Sequence, residues 1–291
     1  LLTGSSHSTL LAQTSRFVQA TNATSSSGMH ALTTHLFSQD NGDTICEIAG
    51  GEARTTKLLI RYHDTRLTTG PNFDLVADVD LTLPREREAF WQYRRKRKPK
   101  VCVMAPMCRS FGGRSRMNRY LNPETYERHL TTVDGPLAKF AGEVALEQLA
   151  DELDFVNEQP TGSYLYEVEP WPRVLKDPRV SSTIFDQCQL GQRNSHGQPV
   201  KKPIALVASH DDLIHYFKCL KCGAFPNQCN GQHAALTGKE ADRARVWPWA
   251  FARRTAWGIV RLMQCKHWKP RLPQGETARA IISTITIFHN C

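Results

Sequence analysis

The stretch Lys100-Val-Cys-Val-Met-Ala-Pro-Met-Cys108-Arg-Ser-Phe-Gly-Gly113 decides the fold. An apolar run too short for a helix stops at Pro106. A cysteine and a polar, glycine-rich loop follow, carrying Arg109 with Arg114 and Arg116 just beyond. The pattern predicts a buried strand that delivers a thiol to its carboxyl end. In an open α/β sheet, ligands sit in the crevice beyond the carboxyl ends of the strands, which makes Cys108 the first candidate for chemistry.

Upstream, Asp43-Thr-Ile-Cys-Glu-Ile48 predicts a short strand, Ala49-Gly-Gly-Glu-Ala-Arg-Thr-Thr56 a glycine turn, and Lys57-Leu-Leu-Ile-Arg61 a helix. Strand, glycine turn and helix open a Rossmann-like sheet, because glycines let backbone approach a ligand and a helix N-terminus favours anions. Ordinary turns also place two glycines after a strand. Gly70-Pro-Asn-Phe-Asp-Leu-Val-Ala-Asp-Val-Asp80-Leu is a second strand-like region with acids at its end. Carboxylates there can hold a ribose hydroxyl or an adenine amino group, or can cap the helix that Pro84 starts. That helix ends in Arg94-Arg-Lys-Arg-Lys-Pro-Lys100. Such a run fits a nuclear localisation signal or a phosphate patch, and equally a solvated helix end whose cations complement the macrodipole.

Downstream, a short helix is expected within Asn118 to Asp134. A longer one runs from Pro136 to about Asp154, packed through Leu146, Leu149, Ala150 and Leu153. Phe155-Val-Asn-Glu158-Gln-Pro-Thr-Gly-Ser163 repeats the grammar of the cysteine stretch: a strand, a reactive side chain at its end, then loop breakers. Glu158 and Cys108 are therefore expected at one crevice. Further strands are predicted at Ser182-Thr-Ile-Phe185 and Ile204-Ala-Leu-Val207. A closing helix from Pro248 to Met263 packs through Trp249, Ala252, Ala256, Ile259, Val260 and Met263. Residues 1–42, rich in Ser and Thr, read as a mobile leader, and residues 264–291 as an irregular tail.

The chain of 291 residues can bury one large core or two small ones. Its net charge of +9 favours an anionic partner such as nucleic acid over a neutral metabolite. No apolar run approaches the roughly 18 residues of a membrane span, which excludes a transmembrane reading. Nine cysteines, an odd number without a secretory leader, point to reduced thiols or metal ligands and to a nuclear or cytoplasmic compartment. The chain opens on Leu1-Leu2 without a methionine, as a fragment of a longer protein would. In Cys219-Leu-Lys-Cys222-Gly-Ala-Phe-Pro-Asn-Gln-Cys229-Asn-Gly-Gln-His233, the two-residue gap lets two thiolates reach one tetrahedral ion. Cys219, Cys222, Cys229 and His233 are thus a candidate Cys3His zinc set, the alternative being free cysteines beside a helix end.

Together these stretches resemble the S-adenosylmethionine-dependent DNA cytosine-5 methyltransferases, and more closely the methyltransferase-like domain inside polyproteins of copia-type retrotransposons. The resemblance covers about residues 43–263. Glu47-Ile-Ala-Gly-Gly51-Glu-Ala-Arg-Thr-Thr56 is similar to the cofactor motif, and Asp80 to the acid near the cofactor adenine. Ala105-Pro-Met-Cys108-Arg-Ser-Phe-Gly resembles the proline-cysteine loop, and Asn157-Glu158-Gln-Pro160 the loop of the catalytic glutamate. Asp186-Gln-Cys188-Gln-Leu-Gly191 and Lys202-Pro203 resemble later landmarks of the retroelement version.

The resemblance implies an α/β, Rossmann-like methyltransferase sheet with flanking helices and disordered termini. It implies Cys108 as nucleophile and Glu158 as acid, with Glu47, Gly50, Gly51, Asp80 and Pro106 around S-adenosylmethionine. The implied partner is DNA, with other polyprotein segments beside it. The chemistry needs a thiol of lowered pKa, for which Arg109, Arg114 and Arg116 offer an electropositive setting. Ala53 stands where the motif has its second glycine, and Met107 where a proline precedes the nucleophile. A non-catalytic nucleic-acid-binding module of a retrotransposon polyprotein is the alternative function.

Overall fold

The computed structural model describes residues 42–62, 67–113, 115–223, 229 and 231–267. Of the expected leader only Gly42, and of the expected tail only residues 264–267, lie inside that set. The fold is α/β, a six-stranded mixed sheet flanked by helices. The strands are β1 (Ile45–Ile48), β2 (Thr69–Phe73), β3 (Val101–Met104), β4 (Asp154–Pro160), β5 (Ser181–Asp186) and β6 (Pro203–Ala208), in the order β2-β1-β3-β4-β6-β5. Neighbours from β2 to β4 pair parallel, and β6 runs antiparallel to both β4 and β5. Pro71 is tolerated in β2 because that strand lies at the edge of the sheet, where one side of the backbone has no ladder to complete.

The helices are α1 (Arg54–Tyr62), α2 (Pro84–Arg97), α3 (Ser115–Leu121), α4 (Pro123–His129), α5 (Gly135–Ala150), α6 (Trp171–Val174), α7 (Asp211–Ile214), α8 (Gly238–Arg243) and α9 (Trp249–His267). Strand side chains alternate between two cores, as the period of two requires. Cys46, Ile48, Cys102, Met104 and Phe155 pack against Phe90, Tyr93, Phe140, Val144 and Trp171 of α2, α5 and α6. Ile45, Val101, Val103 and Val156 pack against Leu59, Leu213, Phe251, Ile259 and Leu262 of α1, α7 and α9. Each of these fully buried side chains contributes about 1.5–3 kcal/mol.

Several local expectations are corrected by packing. The stretch 118–134 holds parts of two helices and a π-helical turn (Leu130–Asp134) rather than one short helix. Helix α5 ends at Ala150, and Asp154 already opens β4. Ala150 is exposed; the buried face of α5 is Ala138, Ala141, Val144, Ala145, Gln148 and Leu149. Gln148 is tolerated inside because its amide bonds the Arg94 guanidinium and the carbonyls of Pro99 and Asp154. Trp249, expected in the core, is half exposed, whereas Ala252, Ala256, Ile259 and Met263 are buried.

Candidate active site and metal centre

Strand β1 sends the chain to β2 on one side and pairs with β3 on the other, so the strand order reverses at the β1/β3 boundary. Beyond the carboxyl ends of two strands that diverge in this way lies the crevice where open sheets bind ligands. Ile48 and Met104 stand opposite each other at that boundary, and the Ala105 N–H donates to the Ile48 carbonyl at 3.1 Å. The glycine turn and the cysteine loop therefore leave the sheet side by side.

In the glycine turn, Gly51 has φ +65° with open space where a Cβ would stand. Its N–H donates to Asp74 Oδ2 at 2.9 Å, and Asn72 Nδ2 donates to its carbonyl at 2.8 Å. The acid that meets the turn is thus Asp74, directly after β2. Asp80 accepts from the backbone N–H and the hydroxyl of Thr82 at 2.9 and 2.7 Å, a local side-chain turn ahead of α2. Asp74 was legible as one of several acids after a strand, but only the fold selects it.

Glu47 is buried beneath the turn. Its Oε1 accepts from the Thr56 N–H at 2.6 Å in the first turn of α1, while Oε2 has no partner. Burial raises its pKa to about 7, opposed by the Thr56 hydrogen bonds and the Lys57 charge. A Cβ on Gly50 would come within 3.0 Å of Glu47 Oε2, so glycine there makes room for the carboxyl group.

The cysteine loop is pinned from both sides. Gln159 Nε2 donates to the Pro106 carbonyl at 2.7 Å, and Ser163 holds the other end of that amide. The Phe111 and Gly112 N–H groups donate to the Cys108 carbonyl, and Ser110 binds buried Asp134 through backbone and hydroxyl. These bonds fix the loop, and Met107 packs against the core.

The Glu158 charge acts on the Cys108 thiol: after burial, it is the largest influence raising that group. Lys202 and Arg245 act in the opposite direction. Of the three arginines expected to lower the thiol, Arg109 turns to the His129 ring at 3.2 Å. Arg114 and the side chain of Arg116 lie outside the described residues. Glu158 is itself raised by burial, with Lys202 and a hydrogen bond from the Trp247 indole opposing. Its Oε1 is buried without a partner. Lys202 acts on both groups because β5 and β4 point the same way. The β5–β6 connection consequently stays at the edge where β1, β3 and β4 end. The Lys202 ammonium donates to the Ala244 carbonyl at 3.1 Å.

The same connection carries a cluster that can hold a metal ion: Cys188, Cys222, Cys229 and His233, whose ligand atoms all lie within 4.8 Å of one another. Cys222 Sγ is 3.5 Å from Cys229 Sγ and 3.5 Å from His233 Nε2, and Cys229 Sγ is 3.4 Å from that nitrogen. Cys219 is exposed at φ +70° and is not among them. The fourth donor is Cys188, from the turn after β5. The Cys222 N–H donates to Asp186 Oδ2 at 2.8 Å, which holds Cys222 at the end of β5 where Cys188 sits. The described cysteines form no disulfide. Among the described residues, no helix is long and apolar enough to cross a membrane. Compared with known protein families and with characterised proteins, the chain matches none.

Proposed function

We propose that this chain is a DNA cytosine-5 methyltransferase-like protein of retroelement origin with a Rossmann-like methyltransferase sheet. The observation that carries the reading is the influence of the Glu158 charge on the Cys108 thiol. Cys108 follows β3 and Glu158 belongs to the neighbouring β4, on the side of the sheet where a glycine turn follows β1 at the switch point. S-adenosylmethionine, when bound, supplies an electrophilic methyl group. Gly50, Gly51 and Asp74 would hold it, with Asp80 and Pro106 nearby and Glu47 supporting the turn. The open space at Gly51, the acid beside it and the orphaned Glu47 Oε2 fit such a ligand.

The thiolate of Cys108 adds to carbon 6 of an extruded cytosine, and the electron pair moves toward ring nitrogen 3. Glu158 meets that charge with its proton, which its burial favours. The two ionisations oppose each other, so protonation of Glu158 favours the Cys108 thiolate. Once Glu158 is neutral, its repulsion of the Cys108 thiolate disappears, leaving Lys202 and Arg245 as the charges that lower the thiol. We assign zinc to the four-donor cluster, because a tetrahedral ion with four protein ligands needs S···S separations of about 3.8 Å and S···N separations of about 3.5 Å.

Purified protein with S-adenosylmethionine is expected to form a denaturation-resistant adduct with DNA containing 5-fluorocytosine. Cys108→Ser abolishes it, and Glu158→Gln slows it about 10²–10⁴-fold. Without cofactor, Glu158→Gln shifts site-specific alkylation of Cys108 to lower pH, because the opposing charge is gone. Absence of an adduct from the wild-type protein overturns the enzymatic reading. It favours the non-catalytic nucleic-acid-binding module, to which the raised Cys108 thiol of the free protein is also suited.

A further inference from the structure

The outer surface between α1 and α9 forms an open groove of about 750 Å³, lined by Lys57, Leu58, Arg61, Trp249, Arg253, Ala256 and Trp257. Trp249, Arg253 and Trp257 repeat every four residues along α9 and form one stripe, while Lys57 and Arg61 do the same on α1. Cations and indoles alternate across it. The Arg54 guanidinium lies 4.8 Å from the centre of the Trp249 ring, and that of Arg253 lies 5.7 Å from the Trp257 ring. Trp249 is 49% exposed although it belongs to a helix whose inner face is otherwise well buried. No carboxylate is among the described residues that line the groove.

We infer that this groove binds a single strand of nucleic acid, its bases stacking on Trp249 and Trp257 and its phosphates facing Lys57, Arg61 and Arg253. Stacking platforms set in a cationic channel are the recognition chemistry of unpaired strands, since every base offers a π-face and every linkage a charge. A duplex hides its base faces, and an acidic peptide has no rings for the indoles. The groove is also linked to Glu158 through Arg54. That side chain stacks on Trp249 and donates to the carbonyl of Trp247, whose indole bonds Glu158. The inference rests on the nucleic-acid reading above for its class of ligand, and it adds the surface and the strand form.

The test is fluorescence anisotropy of labelled single-stranded DNA and RNA against the full chain in the Cys108→Ser background, without cofactor, over a range of salt. Binding then does not depend on chemistry at the pocket, so failure of the adduct experiment and failure of this one are distinguishable. Trp249→Ala is expected to weaken binding of the preferred strand about tenfold, the scale of one lost stacking partner. Arg253→Glu weakens it comparably and flattens the salt dependence. Both side chains are exposed, and unchanged thermal midpoints confirm folding. Lys139→Glu, the same charge change on α5 across the sheet, changes affinity less than about twofold. Three outcomes overturn the inference: groove variants that bind like the parent, duplex bound as tightly as the single strand, or polyglutamate competing as well as the oligonucleotide.

Discussion

Glu47 and Glu158 lie in rows that face the α1/α9 side of the sheet, beside Val103 and Val156 respectively, and burial raises both carboxyl groups. For Glu47 the consequence can be measured. Its pKa rises from 4.5 to about 7 on folding, so between those values the folded chain binds more proton than the unfolded chain. The contribution to stability is greatest below pH 4.5 and falls as pH rises through the window, by roughly 3 kcal/mol in all; above pH 7 it is flat. Glu47→Gln keeps an acceptor for the Thr56 N–H and removes the titration. Urea unfolding should therefore show the variant gaining on the wild type between pH 5 and pH 8, and a pH-independent difference would refute the assignment. At this scale the reactive types were legible, since a thiol and a carboxylate each follow an apolar run. The direction of the Cys108 shift was not, because Arg109 was counted by adjacency while its side chain turns to His129. Ala53 shows the same limit from the other side: at φ +50° an alanine occupies the left-handed conformation that a glycine would favour.

The element that most changes the site is the β5–β6 connection. As a return at one end of the sheet rather than a crossover, it makes β6 antiparallel and leaves Cys188 and Lys202 at the edge where β1, β3 and β4 end. The strands themselves follow from short apolar runs. The insertion of β6 between β4 and β5 does not, because pairing partners are chosen over long sequence separations. The zinc set moved with it: sequence spacing nominated Cys219, and the turn after β5 supplies Cys188 instead. Elemental analysis of purified protein should find about one zinc per chain. Cys188→Ser should lose most of it and lower the thermal midpoint, while Cys219→Ser should retain both. Equal loss in the two variants would return Cys219 to the set.

Across the whole molecule, the basic run before β3 is divided between structure and surface. Arg94 and Arg97 are buried, while Arg95, Lys96 and Lys98 are exposed. Arg97 pairs with Asp43 at 2.7 Å, and Tyr93 donates to the same carboxylate at 2.8 Å, tying the end of α2 to the start of β1. Neither a uniform phosphate patch nor a wholly solvated helix end describes that run. Asp43→Ala removes the carboxylate that the buried Arg97 guanidinium and the Tyr93 hydroxyl share, and should cost about 3–5 kcal/mol in denaturant unfolding. Adding Arg97→Leu should recover part of the loss, and a strictly additive double variant would mean that the pair is not coupled.

What the amino-acid order determined by itself is local: where apolar runs end, where glycine and proline break them, and which reactive side chains stand at those breaks. Those features depend on neighbouring residues, so the strands, most helices, Cys108, Glu158 and the Gly50-Gly51 turn could be named in advance. The tertiary structure alone decided which of these meet. Asp74 rather than Asp80 touches the turn, Cys188 rather than Cys219 completes the metal cluster, Gln159 steadies the cysteine loop, and Trp249 remains on the surface. Each of those outcomes is set by contacts between segments far apart in the chain, where sheet order and helix packing fix distances that sequence spacing does not encode.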